Sequence, residues 1–492
     1  MGERPVPLFF AFAGGKALAV LFRVLAAVLV GRLIGPQGLG RWTLIVAAGT
    51  LLHTALVNWT HASTVRFGRE EWVRTGSLSR TLYGRLPLLA SSIGLTLLLL
   101  VVQPADWLRR FFVISPSEWW MVSLCALSVW LAAEAQATMQ ATDRMMLQAI
   151  LAPLVAALAL LALLTLFWLG RRSLESTIVT LTVLPIVGWG GAWLHSLFRS
   201  NTRPTGLVLD DVWQLLRYGW PMLPGFALGY VSAWAGPLLL GRFSSVTEVG
   251  LFGMSYQFMI AAMSANGVLS TFLLPWLIRR EAETPGAMRD YVECVAPTLY
   301  ALWMIGTMWL VAALPVGAML LMGRGFDASI ESLLILLVAV PSSAVMSLFT
   351  VLFDVQRRLG RIVVYSLAAT LANLAVCLVL IPVHGAAGAA IGTALSFIVG
   401  QVLYIWDQHR HLAAPAGRMW ALWVVGLALG FGQLAVGAGT GMRTAWAILA
   451  TAALLCVARI AGCIDGLLVS RLFAGRFTPI AALINRLLVV GT

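Results

Sequence analysis

The string GRLIGPQGLGRW at residues 31–42 has a counterpart 210 positions later, GRFSSVTEVGLF at residues 241–252. In each, a Gly-Arg pair is followed nine residues on by a second glycine: Gly31-Arg32 with Gly40, and Gly241-Arg242 with Gly250. At the same offset Gly15 falls on Gly225 and Gly14 on Pro224. This spacing predicts a duplicated chain, with an N-lobe over 1–200 and a C-lobe over 210–408. Outward from the pair, apolar runs bounded by charge, Gly or Pro predict six spans in each half: 8–31, 42–60, 86–103, 118–139, 146–169 and 175–196, then 217–241, 250–276, 293–322, 329–353, 362–383 and 386–407. An extra pair over 418–468 (418–437 and 444–468) and a basic tail over 469–492 complete the chain. Because six is even, the second half enters the membrane in the same direction as the first, which makes the repeat parallel. The expected fold is an all-α polytopic membrane protein of about fourteen transmembrane helices.

Composition excludes a water-soluble globule. Of the 492 residues 60% are hydrophobic and 11% charged, where soluble domains carry about 25% charged residues. Fourteen helices of roughly 20 residues consume nearly the whole length, and no connection exceeds about 25 residues. The opening MGERPVPLFFAF runs into an apolar stretch too long for a signal-peptide core and is expected to be a retained first helix.

The formal charge of +13 comes from 33 Lys+Arg against 20 Asp+Glu. It needs no nucleic acid, since Lys and Arg concentrate in loops on the cytoplasmic side of membrane proteins. The even-numbered connections and the two termini hold most of the cations, among them Arg66, Arg69, Arg80 and Arg85, so both termini are expected in the cytoplasm. Arg471, Arg476 and Arg486 suit an amphipathic tail on anionic lipid. The five cysteines all fall within apolar runs without close pairing, so neither a disulfide framework nor a metal site is expected.

Polar groups within the spans are the candidates for function, because a charge at mid-membrane costs about 2.5–3.5 kcal/mol on insertion scales. Lys16 and Arg23 stand seven residues apart on one face of the first span, roughly 10 Å along its axis. Two cations at that spacing suit an anion such as a pyrophosphate, although both side chains are long enough to snorkel to headgroups. Thr54, Asn58 and His61 form a polar stripe on the second span. Gln257, Ser264 and Thr271 repeat it on the eighth, with Ser264 and Thr271 at the 210 offset from Thr54 and His61. These groups suit sugar hydroxyls or a water path, and equally hydrogen bonds between helices. Glu134 is the deep acidic group of the first half, a candidate for ion coupling or a counter-ion for Arg23. Gly14 and Gly15 in the first span, with Pro224, Gly225 and Gly229 in the seventh, are candidate hinges, since interrupted spans at matching positions of a repeat point to a transport site.

GRLIGPQGLGRW, THASTVRFGREEW (60–72) and IPVHGAAGAAIGTALS (381–396) resemble the polysaccharide-export, O-antigen-flippase-like branch of the multidrug/oligosaccharidyl-lipid/polysaccharide (MOP) transporter superfamily, over about residues 8–468. The resemblance implies a flippase of the bacterial cytoplasmic (inner) membrane that carries an undecaprenyl-pyrophosphate-linked oligosaccharide between leaflets by alternating access. It also implies a cation-lined cavity between the halves, with an arginine on the first helix that Arg23 matches. Its partners would be the lipid-linked oligosaccharide, membrane lipids and other polysaccharide-assembly proteins, with no cofactor. Relatives often carry an Asp-Arg pair where this chain has Gly236 and Pro237, so that pair's role is not carried over. Two alternatives stand beside this reading: a cation-coupled drug antiporter of the same superfamily, and an enzyme of lipid-linked glycan assembly. The enzyme is disfavoured because the external connections are short and carry few carboxylates.

Overall fold

The computed structural model describes residues 5–102, 111–199, 206, 208–322, 325–414, 417–436 and 440–460, and side chains from residue 13 onward except at scattered helix positions such as Thr271. Asp465, Cys463 and the 469–492 tail with Arg471, Arg476 and Arg486 lie outside the described residues. The described chain is helical throughout, with no strand among those residues. That is what hydrocarbon demands, because every backbone N–H and C=O must find its partner within the segment.

Fifteen helices are described: α1 (5–34), α2 (36–75), α3 (Ser79–Val102), α4 (Trp119–Ala141), α5 (Met145–Trp168), α6 (Leu174–Arg199), α7 (Leu209–Gly219), α8 (Leu223–Phe243), α9 (Val246–Glu283), α10 (287–322), α11 (Ser329–Val355), α12 (359–384), α13 (386–411), α14 (Gly417–Ala435) and α15 (Thr440–Ile460). All but the 11-residue α7 are long enough to cross a bilayer. Each of the fourteen expected spans corresponds to one of them. Several run further than their apolar cores, and α2 continues to Thr75 through a polar stretch.

Two turns between helices rest on single glycines. Gly35, at φ 68°, separates α1 from α2, and Gly385, at φ 52°, separates α12 from α13. Both lie in the left-handed region that a side chain disfavours. In the IPVHGAAGAA string the next glycine serves close packing instead, since a Cβ on Gly388 would stand 2.6 Å from the Leu380 carbonyl. Glu248 of α9 closes the turn, its Oε2 accepting a 2.8 Å hydrogen bond from the Ala386 amide at the start of α13.

The glycines of the opening motif also meet. A methyl group on Gly40 would overlap the carbonyl oxygen of Val246, and one on Gly250 would overlap that of Pro36. Val246 is Pro36 displaced by 210 positions, and Gly250 is Gly40 displaced by the same amount. The contact is therefore reciprocal, the pattern of a two-fold interface in which residue i touches j and j touches i. Without Cβ atoms the start of α2 and the start of α9 pack backbone to backbone.

The chain divides into two compact units, residues 1–261 with 377–389, and residues 262–376 with 390–492. Within the first, residues 5–53, which are α1 and the first part of α2, pack chiefly on α5 and α4, and α4 packs on α6. Its interior holds Ala135, Met139, Val155 and Trp189, and a second cluster of Val57, Leu89 and Trp130. Within the second unit α10, α11, α13, α14 and α15 surround Tyr291, Tyr300, Phe349, Phe353 and Tyr404.

Candidate functional site

A buried polar cluster in the first unit ties α2, α3 and α4 together. Arg85 of α3 and Glu134 of α4 face each other as a fork, Nη2 to Oε1 at 2.6 Å and Nη1 to Oε2 at 2.9 Å. The side chains are 0% and 1% exposed, so the pair stands in low dielectric, where the two hydrogen bonds orient both charges. The second N–H of each η nitrogen of Arg85 reaches α2, while Nε has no hydrogen-bond partner. Nη2 donates to Thr60 Oγ1 at 2.8 Å, and Nη1 donates to Thr64 Oγ1. The two hydroxyls in turn donate to backbone carbonyls, Thr60 to Val57 at 2.7 Å and Thr64 to Thr60 at 3.4 Å.

His61 Nδ1 lies 3.5 Å from Glu134 Oε1, and the His61 ring sits 5.4 Å from that of His53. Between the two histidines α2 widens into a π turn over Thr54–Asn58. Such turns recur at functional sites.

This arrangement corrects two readings. Arg85 belongs to no loop: it lies inside α3, fully buried. Glu134 is not a counter-ion for Arg23, since Arg85 occupies both of its oxygens. The sequence held a signal, because an acid buried in a span calls for a cation on a neighbour, and Arg85 opens the apolar run of the third span. Thr60, Thr64 and His53 were missed because hydroxyls and imidazoles in a helix show no direction until its neighbours are known.

The predicted stripe on α2 is divided among different surroundings. Thr54 is buried, Asn58 is half-buried, and His61 turns inward to Glu134. A π turn adds a residue to one turn, so positions on either side lose the register that spacing alone implies.

On α1, Lys16 is half-buried and Arg23 exposed. The helix runs unbroken through Gly14 and Gly15, and Gly15 is where α1 approaches α5, since a Cβ there would strike the Ala149 carbonyl. The matching interruption precedes α8, where Pro221 and Pro224 shape a short 3-10 turn at Trp220–Met222 and the first residues of the helix. Gly225 and Gly229 follow within the helix, with open space beside both.

Arg66, exposed on α2, lies 4.8 Å from the Tyr218 ring centroid and 3.6 Å from Glu70. Gln257 and Ser264 are half-buried on α9, and the Thr271 side chain lies outside the described residues. Among the described residues no His, Cys, Asp and Glu cluster is arranged to hold a metal.

Among solved structures, the lipid II flippase MurJ in an inward closed conformation superposes with a TM-score of 0.69, covering 91% of this chain and 97% of its own at 10% identity. The chain has the fold of the MOP superfamily. A mutant of the Vibrio cholerae MATE transporter VcmN shares that MOP fold with a TM-score of 0.54, covering 82% of this chain and 96% of its own at 15% identity. The MATE multidrug transporter DinF-BH gives 0.53, covering 82% and 94% at 16% identity. These MOP-fold neighbours are a flippase and transporters, not enzymes. No protein-family model matches the sequence, and no curated protein does.

Proposed function

We propose that this protein is a flippase that moves a pyrophosphate-linked oligosaccharide on a polyprenyl lipid across a bacterial inner membrane, with both termini in the cytoplasm. The observation that carries this reading is the agreement with MurJ over 91% of the chain, joined to two cations on one face of α1. The MATE structures reach 82%. The physical problem is to pass a charged, hydrated headgroup through hydrocarbon while its tail remains in lipid. Lys16 and Arg23 are set to receive the phosphates, with Arg66 drawing them from the inner leaflet. Asn58, Gln257, Ser264 and Thr271 offer hydrogen bonds to sugars. Rocking of two lobes about Gly14, Gly15, Pro224, Gly225 and Gly229 would alternate access.

A second reading, a cation-coupled drug antiporter, is favoured by the MATE neighbours and by the carboxylate of Glu134 inside the first unit. To bind a proton or sodium there, Arg85 must first release it.

Reconstituted with a fluorescent lipid-linked oligosaccharide, the wild-type protein should translocate it, and Arg23→Gln should slow this at least about tenfold, the worth of one charge-assisted contact. Unchanged translocation by Arg23→Gln removes Arg23 from the site. A wild-type protein that moves no lipid-linked glycan, yet expels a lipophilic cation on an imposed ion gradient, establishes the antiporter instead.

A further inference from the structure

A cavity of about 270 Å³ lies among α2, α3 and α4 in the first unit, apart from the face that carries Lys16 and Arg23. Its wall is almost wholly apolar, with Ile93, Leu127 and the rings of Trp120 and Trp130 lining it. Three polar side chains interrupt that wall, His53 at 6% exposure, Ser92 at 9% and Ser123 at 5%, and the Ser92 hydroxyl already donates to the Leu88 carbonyl at 2.7 Å. His53 Nδ1 and Ser123 Oγ are buried without a hydrogen-bond partner, whereas buried polar atoms are nearly always paired. On the α2 side the wall includes the π turn that begins one residue after His53.

Each feature narrows what the cavity holds. An apolar space of this size does not fill with stable water, which needs two to four polar partners per molecule. A pure hydrocarbon would leave both polar atoms unmet. A cation has no free carboxylate here, because Glu134 is held by Arg85.

We propose that the cavity is a binding site for a neutral amphiphile: a hydrocarbon body among the leucine, isoleucine and tryptophan side chains, with a single hydroxyl hydrogen-bonded to His53 Nδ1 and Ser123 Oγ. An occupant there bears on the π turn of α2 and, through the His53 and His61 rings, on the Arg85–Glu134 pair. The site would therefore let a membrane-dissolved alcohol alter the flexibility of these three helices. This inference does not depend on what the protein transports.

The test uses the full chain in lipid nanodiscs and a photoreactive diazirine analogue of decanol. Crosslinks should fall on peptides of α2, α3 and α4 around His53, Ile93 and Ser123. Decanol should suppress them, with decane about tenfold less effective at the same membrane mole fraction, the contribution of a hydrogen-bonded head. Filling the cavity with Leu127→Phe should abolish the labelling. Crosslinks scattered over all lipid-facing helices, or decane competing as well as decanol on the wild-type protein, would overturn the proposal. The decanol and decane comparison needs no variant, so it decides the matter even if Leu127→Phe folds poorly.

Discussion

Replacing Glu134 with Gln should destabilise the protein by about 3–5 kcal/mol, because it leaves the Arg85 guanidinium charged and buried with no counter-ion. In a thermal melt followed by tryptophan fluorescence, this is a fall on the order of 5–10 °C. Arg85→Lys should fall by a similar amount, since an ammonium does not reproduce the fork that reaches both Glu134 oxygens, Thr60 and Thr64. The double replacement by methionine, Arg85→Met with Glu134→Met, removes both charges and should return to within about 1 kcal/mol of wild type, as apolar substitutes for buried pairs often do. A Glu134→Gln protein that melts with the wild type would mean that the pair does not bind α2, α3 and α4 together.

The second large effect is expected at the reciprocal glycines. Gly40→Ala places a methyl group against the Val246 carbonyl, and Gly250→Ala does the same at Pro36. Backbone cannot swing aside as a side chain can, so α2 and α9 must separate, at about 2–3 kcal/mol for either change. Both changes open the same contact, so the double variant should lose distinctly less than the sum, with a coupling of about 1 kcal/mol or more. Gly14→Ala and Gly229→Ala supply the contrast. Neither has an atom within 4 Å of the added methyl, so each should stay within about 0.5 kcal/mol of wild type. Were Gly40→Ala as stable as Gly14→Ala, the close approach of α2 and α9 would be refuted.

The fold was legible because its determinants are local. An apolar run of about 20 residues specifies a helix by itself, so all fourteen spans could be read without knowledge of what each one touches. The 210-residue offset went further, since it singled out Gly40 and Gly250, which the structure brings together. The polar interior was less legible because it depends on direction. Arg85 reads as a loop cation when charge marks the end of a span, yet it lies within α3 and is neutralised by a residue 49 positions away. Thr54, Asn58 and His61 stand four and then three residues apart, a helical spacing, but a π turn shifts their phase, and spacing alone carries no sign of that extra residue. α1 has no such irregularity, so the seven-residue step from Lys16 to Arg23 keeps its helical phase, with Lys16 half-buried and Arg23 exposed.

The single-glycine turns at Gly35 and Gly385 bear on how the molecule can move. A connection through one residue leaves only that residue's own φ and ψ to turn, so α1 and α2, like α12 and α13, have little slack at the joint. Each pair of helices should then move together, with larger changes of conformation taken up at other joints. Distance probes placed on the two helices of either pair should stay at constant separation as the protein changes conformation.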